Sequence, residues 1–258
     1  MERLDKPKQS GLYGSALRTW GMLFVAAGIL GKSILQNRLL GLDSLSSQQL
    51  LEALSGSQQA MIIATAALVL QAVETCGVPI FAFLLTEGFT HTRDWKKYLL
   101  RVAGIALVSE IPFDLAMSGT VLNMGSQNPV FGLVLGMILL YFFRRYAEKS
   151  LQNTLIKALV LIAGMLWTVM LSIEHGITLI LMISVLWALR NKHQLRPLVG
   201  SVAAVVCTVF SPYYLASPIV FLAIHSYNGE PGNSNRLVNY LFYPAILLFI
   251  GLIAIFCF

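Results

Sequence analysis

The sequence predicts an all-α fold, a polytopic transmembrane helical bundle of about nine spans. Three observations carry that prediction. The 258 residues are 57% hydrophobic and only 12% charged, with mean hydropathy +0.73, whereas a soluble domain carries about 25% charge. The apolar residues gather in long runs, and about 20 of them as helix cross a hydrocarbon core of about 30 Å. The cations cluster between those runs, and the clusters alternate along the chain.

By length, the spans run near Thr19–Gln36, Ala60–Phe89, Tyr98–Met117, Pro129–Phe143, Leu155–Ile173, Gly176–Leu189, Leu198–Ser211, Tyr213–His225 and Leu237–Cys257. The second is over-long and contains Gly77 and Pro79. Proline removes a helical hydrogen bond and crowds the preceding turn, so a kink is expected there. The seventh and eighth are short and separated by Pro212. They read either as two thin spans or as one re-entrant pair. The basic N-terminus, residues 1–18, precedes a long apolar run with no small-residue cleavage site, so the first span is read as retained. Residues 38–59 form a loop, RLLGLDSLSSQQLLEALSGSQQ. It is either a plain polar loop or, over Ser47–Leu54, an amphipathic helix lying on the outer surface. The whole chain reads as a single integral membrane domain.

Charge sets the expected orientation. Arg3, Lys6, Lys8 and Arg18 precede the first span; Arg93, Lys96 and Lys97 follow the second. Arg144, Arg145 and Lys149 follow the fourth, and Arg190, Lys192 and Arg196 follow the sixth. All fall on one side, and cations accumulate on the cytoplasmic side. The N-terminus is therefore expected in the cytoplasm and residues 38–59 outside it. Net charge is +6, but the cations lie in short interrupted clusters. A nucleic-acid face needs a continuous basic surface, so nucleic acid is not expected as a partner; the bilayer is.

Cys76, Cys207 and Cys257 lie in or beside apolar runs without CxxC spacing, which argues against a disulfide framework or a zinc site. The sequence has no GxGxxG, P-loop, HExxH or GxSxG motif. ATP-driven and zinc-dependent chemistry therefore have no support, and no metal is expected.

The chemistry concentrates in Gly77–Gly119, GVPIFAFLLTEGFTHTRDWKKYLLRVAGIALVSEIPFDLAMSG. Two apolar runs flank a basic turn and carry Glu87, Glu110 and Asp114. An acid at a helix centre in lipid costs about 2.5–3.5 kcal/mol, so such acids face a polar interior or a partner. Glu110 and Asp114 share a helix face. One of two repelling carboxylates takes a raised pKa and becomes a candidate proton acceptor. A structural role, pairing with Arg101 or the basic turn, is the competing reading. His91 is a base, a phosphate ligand or a solvated interface residue. Glu174–His175 is either an imidazole charged and oriented by a carboxylate or a polar turn. Gln127 and Asn128 either cap the fourth span or bind a polar ligand group.

The central block PIFAFLLTEGFTHTRDWKKYLLRVAGIALVSEIPFDLA resembles the signature of the TraX family. SQNPVFGLVLG, SIEHGITLIL, YNGEPG and LFYPAILL resemble that family's later blocks in the same order, and the likeness runs from about Leu17 to Leu248. Glu87, His91, Arg93, Glu110, Asp114, Gln127, Asn128, Tyr227 and Asn228 match. Gly28 and Ile29 stand where the family usually has an Asp-His pair, and Ala245 where it often has His. The resemblance implies an inner-membrane acyltransferase. It would move an acetyl or similar group from acetyl-CoA or another acyl-CoA to an amine or hydroxyl of a peptide, pilin or glycan. Glu110, Asp114, Glu174 or His175 would supply the base. His91, Arg93, Lys96, Lys97 and Arg101 would hold the donor, and Glu87, Gln127, Asn128, Tyr227 and Asn228 the acceptor. Two other functions fit the sequence: a membrane scaffold that keeps the fold without the chemistry, and a small proton-linked transporter.

Overall fold

The computed structural model describes residues 11–41, 49, 56–233 and 235–257. The basic residues before Gly11 and, apart from Gln49, the Ser47–Leu54 stretch lie outside the described residues. Among those described the protein is helical, with only two isolated bridges, Leu12 to Tyr227 and Gln127 to Ile173. Four helical stretches are long and apolar enough to cross a membrane: Gly14–Leu39, Gln58–His91, Leu151–Met170 and Leu237–Phe256. The apolar helices mark a membrane protein. Three more, Gly176–Ala188, Leu195–Val209 and Pro212–His225, are apolar but shorter.

The first helix, α1 (Gly14–Ile29), continues without a break into a more widely wound segment, Leu30–Leu39. Its bonds run from i to i+5, a winding that is frequent at functional sites. It is also the polar part of the span, LGKSILQNRL. Next come α2 (Gln58–Thr75) and α3 (Gly77–His91), one rod interrupted at Cys76. The cause of the break is Pro79, which has no N–H to offer the carbonyl of Thr75. Ser217 Oγ donates to that carbonyl instead, at 2.9 Å. The expected kink is thus a local break satisfied from another part of the chain.

A short turn leads to α4 (Trp95–Ser118), with Asp94 at its start accepting from the Lys97 N–H at 3.1 Å. That backbone donor holds the exposed Asp94 carboxyl below its usual range. The helix ends at Gly119 in the left-handed region, φ 71°, where glycine carries no Cβ penalty. Helices α5 (Val130–Arg145), α6 (Leu151–Met170) and α7 (Gly176–Ala188) follow. Then α8 (Leu195–Val206), 3₁₀ turns at Cys207–Val209 and Pro212–Ile219, and α9 (Val220–His225) form a folded-back pair. The last helix is α10 (Arg236–Phe256).

Two apolar clusters organise the bundle. The larger joins α3, α5, α7 and the folded-back pair around Ile80, Leu140, Ile183, Tyr214 and Phe221. Close approach of α5 and α7 depends on Gly136, where a Cβ would lie 2.3 Å from Ile183. The smaller joins α1, α4 and α10 through Ile29, Phe113, Leu247 and Ile250. Helix α6 touches chiefly α5 and α7 and turns its Leu155, Leu159, Ile162 and Leu166 outward, as lipid contact requires.

Candidate functional site

Between the two clusters lies a cavity of about 810 Å³. One end, next to the Arg93–Lys97 turn, is lined by Arg18, Glu87, His91, Tyr98 and Tyr227. The middle is apolar, with Met22, Phe81, Leu133 and Phe242. The far end is closed by Glu74, His175 and Tyr243. From Glu74 to Glu87 the interrupted rod spans about 20 Å at 1.5 Å per residue.

The far end is the most heavily charged interior place among the described residues. Lys32, from the widely wound segment, pairs with Glu174. Glu74 Oε1 lies 3.8 Å from His175 Nε2. Gly28 makes room for Glu74, since a Cβ there would stand 2.2 Å from its carboxylate. His175 itself has a left-handed backbone, φ 57°. For a residue with a side chain this costs about 1–3 kcal/mol and persists only where the surroundings fix it.

A chain of hydrogen bonds fixes the imidazole and its tautomer. Thr178 Oγ1 donates to the His175 carbonyl at 2.7 Å. A hydroxyl has one proton, so towards Tyr214, at 2.5 Å, Thr178 can only accept. Tyr214 has then spent its own proton and must accept from His175 Nδ1 at 2.8 Å. The network therefore puts a ring proton on Nδ1 and leaves Nε2 to the Glu74 side. That Nε2 is buried with no hydrogen-bond partner among the described residues, facing the Glu74 carboxyl. The Glu74 carboxyl and the His175 imidazole thus meet at the end of the cavity.

At the other end Glu87 is held by Arg196. The guanidinium donates to Glu87 Oε1 at 2.5 Å and to Thr86 Oγ1 at 2.6 Å, and lies 4.5 Å from the Phe83 ring centre. His91 Nδ1 lies 2.9 Å from the Glu87 carbonyl oxygen. Tyr227 packs edge-on against Phe83, with ring centres 5.2 Å apart.

The structure thus gathers Glu87, His91 and Tyr227 at one end of the cavity and His175 at the other. Glu174 stands beside His175, paired with Lys32. Glu110 and Asp114 lie outside the cavity lining. Both Asn128 N–H groups, backbone and side chain, donate to the Glu110 carboxylate. Asp114 accepts from the Asn123 N–H at 2.8 Å. Asn128 also donates to the Ala106 carbonyl and accepts from Val130, so it is a buried cap. The Gln127 backbone bonds to Ser172 and Glu174, tying its loop to the His175 turn. The Asn228 side chain closes its own turn by accepting from Glu230. Arg93, Lys96 and Lys97 are exposed on the basic turn. Arg101 reaches Tyr240, which lines the cavity.

Glu74, Lys32, Arg18, Arg196 and Tyr214 were not picked out as site residues in the sequence. For Glu74 and Lys32 the signal was present, because each is a charge inside an apolar run. Arg196 read as a topology cation, yet it is 4% exposed. Tyr214 carries no sequence signal that separates it from packing tyrosines.

The fold and site define a class: a polytopic helical membrane protein with an internal cavity that ends on a carboxylate–imidazole pair. The family model described as TraX protein matches residues 59–254, and the chain belongs to the TraX family. No curated protein matches the chain. No solved structure matches it either.

Proposed function

We propose that this protein is a membrane acyltransferase. It takes an acetyl or similar acyl group from acyl-CoA to an amine or hydroxyl acceptor of a peptide, pilin or glycan. The observation that carries the reading is the cavity itself, which leads from a basic turn to the His175 imidazole and the Glu74 carboxyl beside it. The acceptor N–H or O–H gives its proton to the Glu74–His175 pair. Its nitrogen or oxygen then attacks the thioester carbonyl carbon, the C–S bond breaks, and the leaving thiolate takes the proton that the Glu74–His175 pair had accepted, which returns the pair to its starting state. Acyl transfer needs such a base and a donor to the developing oxyanion; the Tyr243 hydroxyl, at the same end, takes the second role. The nucleotide part of the donor stays at the mouth with Arg18 and His91, beside Arg93, Lys96 and Lys97. In this reading nine segments enter the cytoplasmic membrane. The N-terminus and basic turn are inside, and the turn of Glu174 and His175 is outside.

The test is transfer of labelled acyl groups from acyl-CoA by purified protein, with donor binding measured alongside. His175→Ala and Glu74→Gln are expected to lower transfer by about 10²–10⁴-fold while donor affinity holds. Glu110→Gln, whose carboxyl is held by Asn128, is expected to change transfer little. Unchanged transfer in His175→Ala refutes the assignment. A scaffold without chemistry is favoured by one observation, the neutralisation of Glu174 by Lys32 and of Glu87 by Arg196. It requires that no acyl-CoA bind at all.

A further inference from the structure

At the end of the bundle that carries the basic turns, α3, α5 and α7 bring together two arginines and two buried rings. Arg144, at the end of α5, has its guanidinium carbon 4.6 Å from the centre of the Phe89 ring. Arg190, just past the end of α7, lies 4.2 Å from the centre of the Trp187 ring. Its Nη1 donates to the Trp187 carbonyl at 3.0 Å. The rings pack edge to face with centres 5.6 Å apart, and both are buried. A ring holds a guanidinium by its face and leaves the N–H edge available to a planar anion. Among the described residues no carboxylate lies within ion-pair distance of Arg144 or Arg190. Buried Arg196, by contrast, is spent on Glu87. Neither Arg144 nor Arg190 lines the large cavity, so their charge has no place in the chemistry proposed above.

We propose that Arg144 and Arg190 form a binding site for the headgroup of an anionic phospholipid. Three observations select that partner. The first is the pair of guanidiniums held in place without an acid, because phosphate oxygens fit the arginine fork and form charge-assisted bonds with it. The second is their level in the bilayer. Tyr141, one turn before Arg144, stacks on Trp95 with ring centres 4.5 Å apart. Tyr and Trp collect at the headgroup level, so Arg144 stands among phosphates. The third is the apolar surface beside the arginines. Helices α6 and α8 both pack on α7 and expose Leu155 and Leu198, against which the lipid chains lie. A free phosphate ion satisfies the first observation and gains nothing from the third. A zwitterionic headgroup brings an ammonium that the arginines repel. Exposed Arg145 and Lys149 draw anionic lipid towards the same end, but no ring in the structure holds them in place.

The experiment is native mass spectrometry of the full-length protein in detergent and about 0.15 M salt. The protein is titrated with phosphatidylglycerol and, separately, with phosphatidylcholine. Phosphatidylglycerol is expected to bind about 30-fold more tightly, with each arginine supplying about fivefold, the worth of about 1 kcal/mol per cation near the surface. Arg144→Gln and Arg190→Gln are each expected to weaken it about fivefold, and the double variant to bind the two lipids alike. Arg145→Gln with Lys149→Gln removes the same charge from unheld positions and is expected to change binding less than about twofold. Thermal unfolding in the same detergent reports whether each variant is folded. Should Arg190→Gln fail to fold, Arg144→Gln decides the matter. Equal binding of the two lipids by the parent overturns the site. So do equal losses from the held and unheld pairs, which mean diffuse charge alone. Displacement of the bound lipid by excess inorganic phosphate also overturns it, because the ligand is then a free anion. The measurement contains no acyl donor, so lipid selectivity stands or falls apart from acyl transfer.

Discussion

Replacing Arg196 by Met tests whether the basic end of the cavity is held by one buried charge. Arg196 is 4% exposed and gives Glu87 and Thr86 one short hydrogen bond each. A charge-assisted bond contributes about 1.5–3 kcal/mol, and a guanidinium over an aromatic ring about 0.5–2 kcal/mol. Met keeps most of the volume and removes all of these. Breaking a buried pair costs about 3–5 kcal/mol because the remaining charge is stranded. Glu87 keeps 19% side-chain exposure and reaches the cavity, so water relieves part of that cost. The expected loss is therefore about 3 kcal/mol, the lower end of the range. Adding Glu87→Gln removes the stranded carboxylate, so the double variant should recover stability, with a coupling of at least about 1 kcal/mol between the two sites. The assay is reversible unfolding of purified protein in mixed micelles, for the parent, both single variants and the double. An Arg196→Met protein within about 0.5 kcal/mol of the parent, the range of an indifferent surface change, refutes the reasoning. So do single effects that simply add.

Two further perturbations probe other joints. Ser217→Ala strands the Thr75 carbonyl that Pro79 has already left without a helical donor. It should cost about 1–3 kcal/mol in unfolding, whereas Ser226→Ala, on the exposed face, should cost under about 0.5 kcal/mol; equal losses would sink the account of the break. Gly28→Ala pushes a Cβ to 2.2 Å from the Glu74 carboxylate. It should destabilise by about 1–3 kcal/mol and depress acyl transfer well beyond that, and full transfer activity in this variant would remove Glu74 from the proposed chemistry.

The helical segments were readable because lipid leaves the sequence little choice. Long apolar runs, the Pro79 break and the Pro212 turn all appear near where hydropathy and proline put them. The site was readable only in part. Glu110 and Asp114 do share a helix face, as their spacing requires. What spacing does not tell is that the loop from Asn123 to Asn128 returns to hydrogen-bond one oxygen of each carboxylate. His175 was identifiable as a polar residue in a bare turn. Its carboxylate partner was sought at Glu174, the adjacent residue, and that side chain belongs to Lys32. The carboxylate facing Nε2 is Glu74, which is far away in sequence and lies in a different helix. Such partnerships are made by packing, and only coordinates reveal them.

Lys32 and Glu174 are separated by 142 positions, Glu87 and Arg196 by 109. A ribosome making about 5–20 residues per second needs roughly 5–30 s to produce the later member of each pair. During that interval the early segments sit at the insertion machinery with lone charges, each costing about 2.5–3.5 kcal/mol in hydrocarbon. Those segments are therefore committed to lipid provisionally, and the nascent protein becomes a settled resident of the bilayer only after its second half has been synthesised.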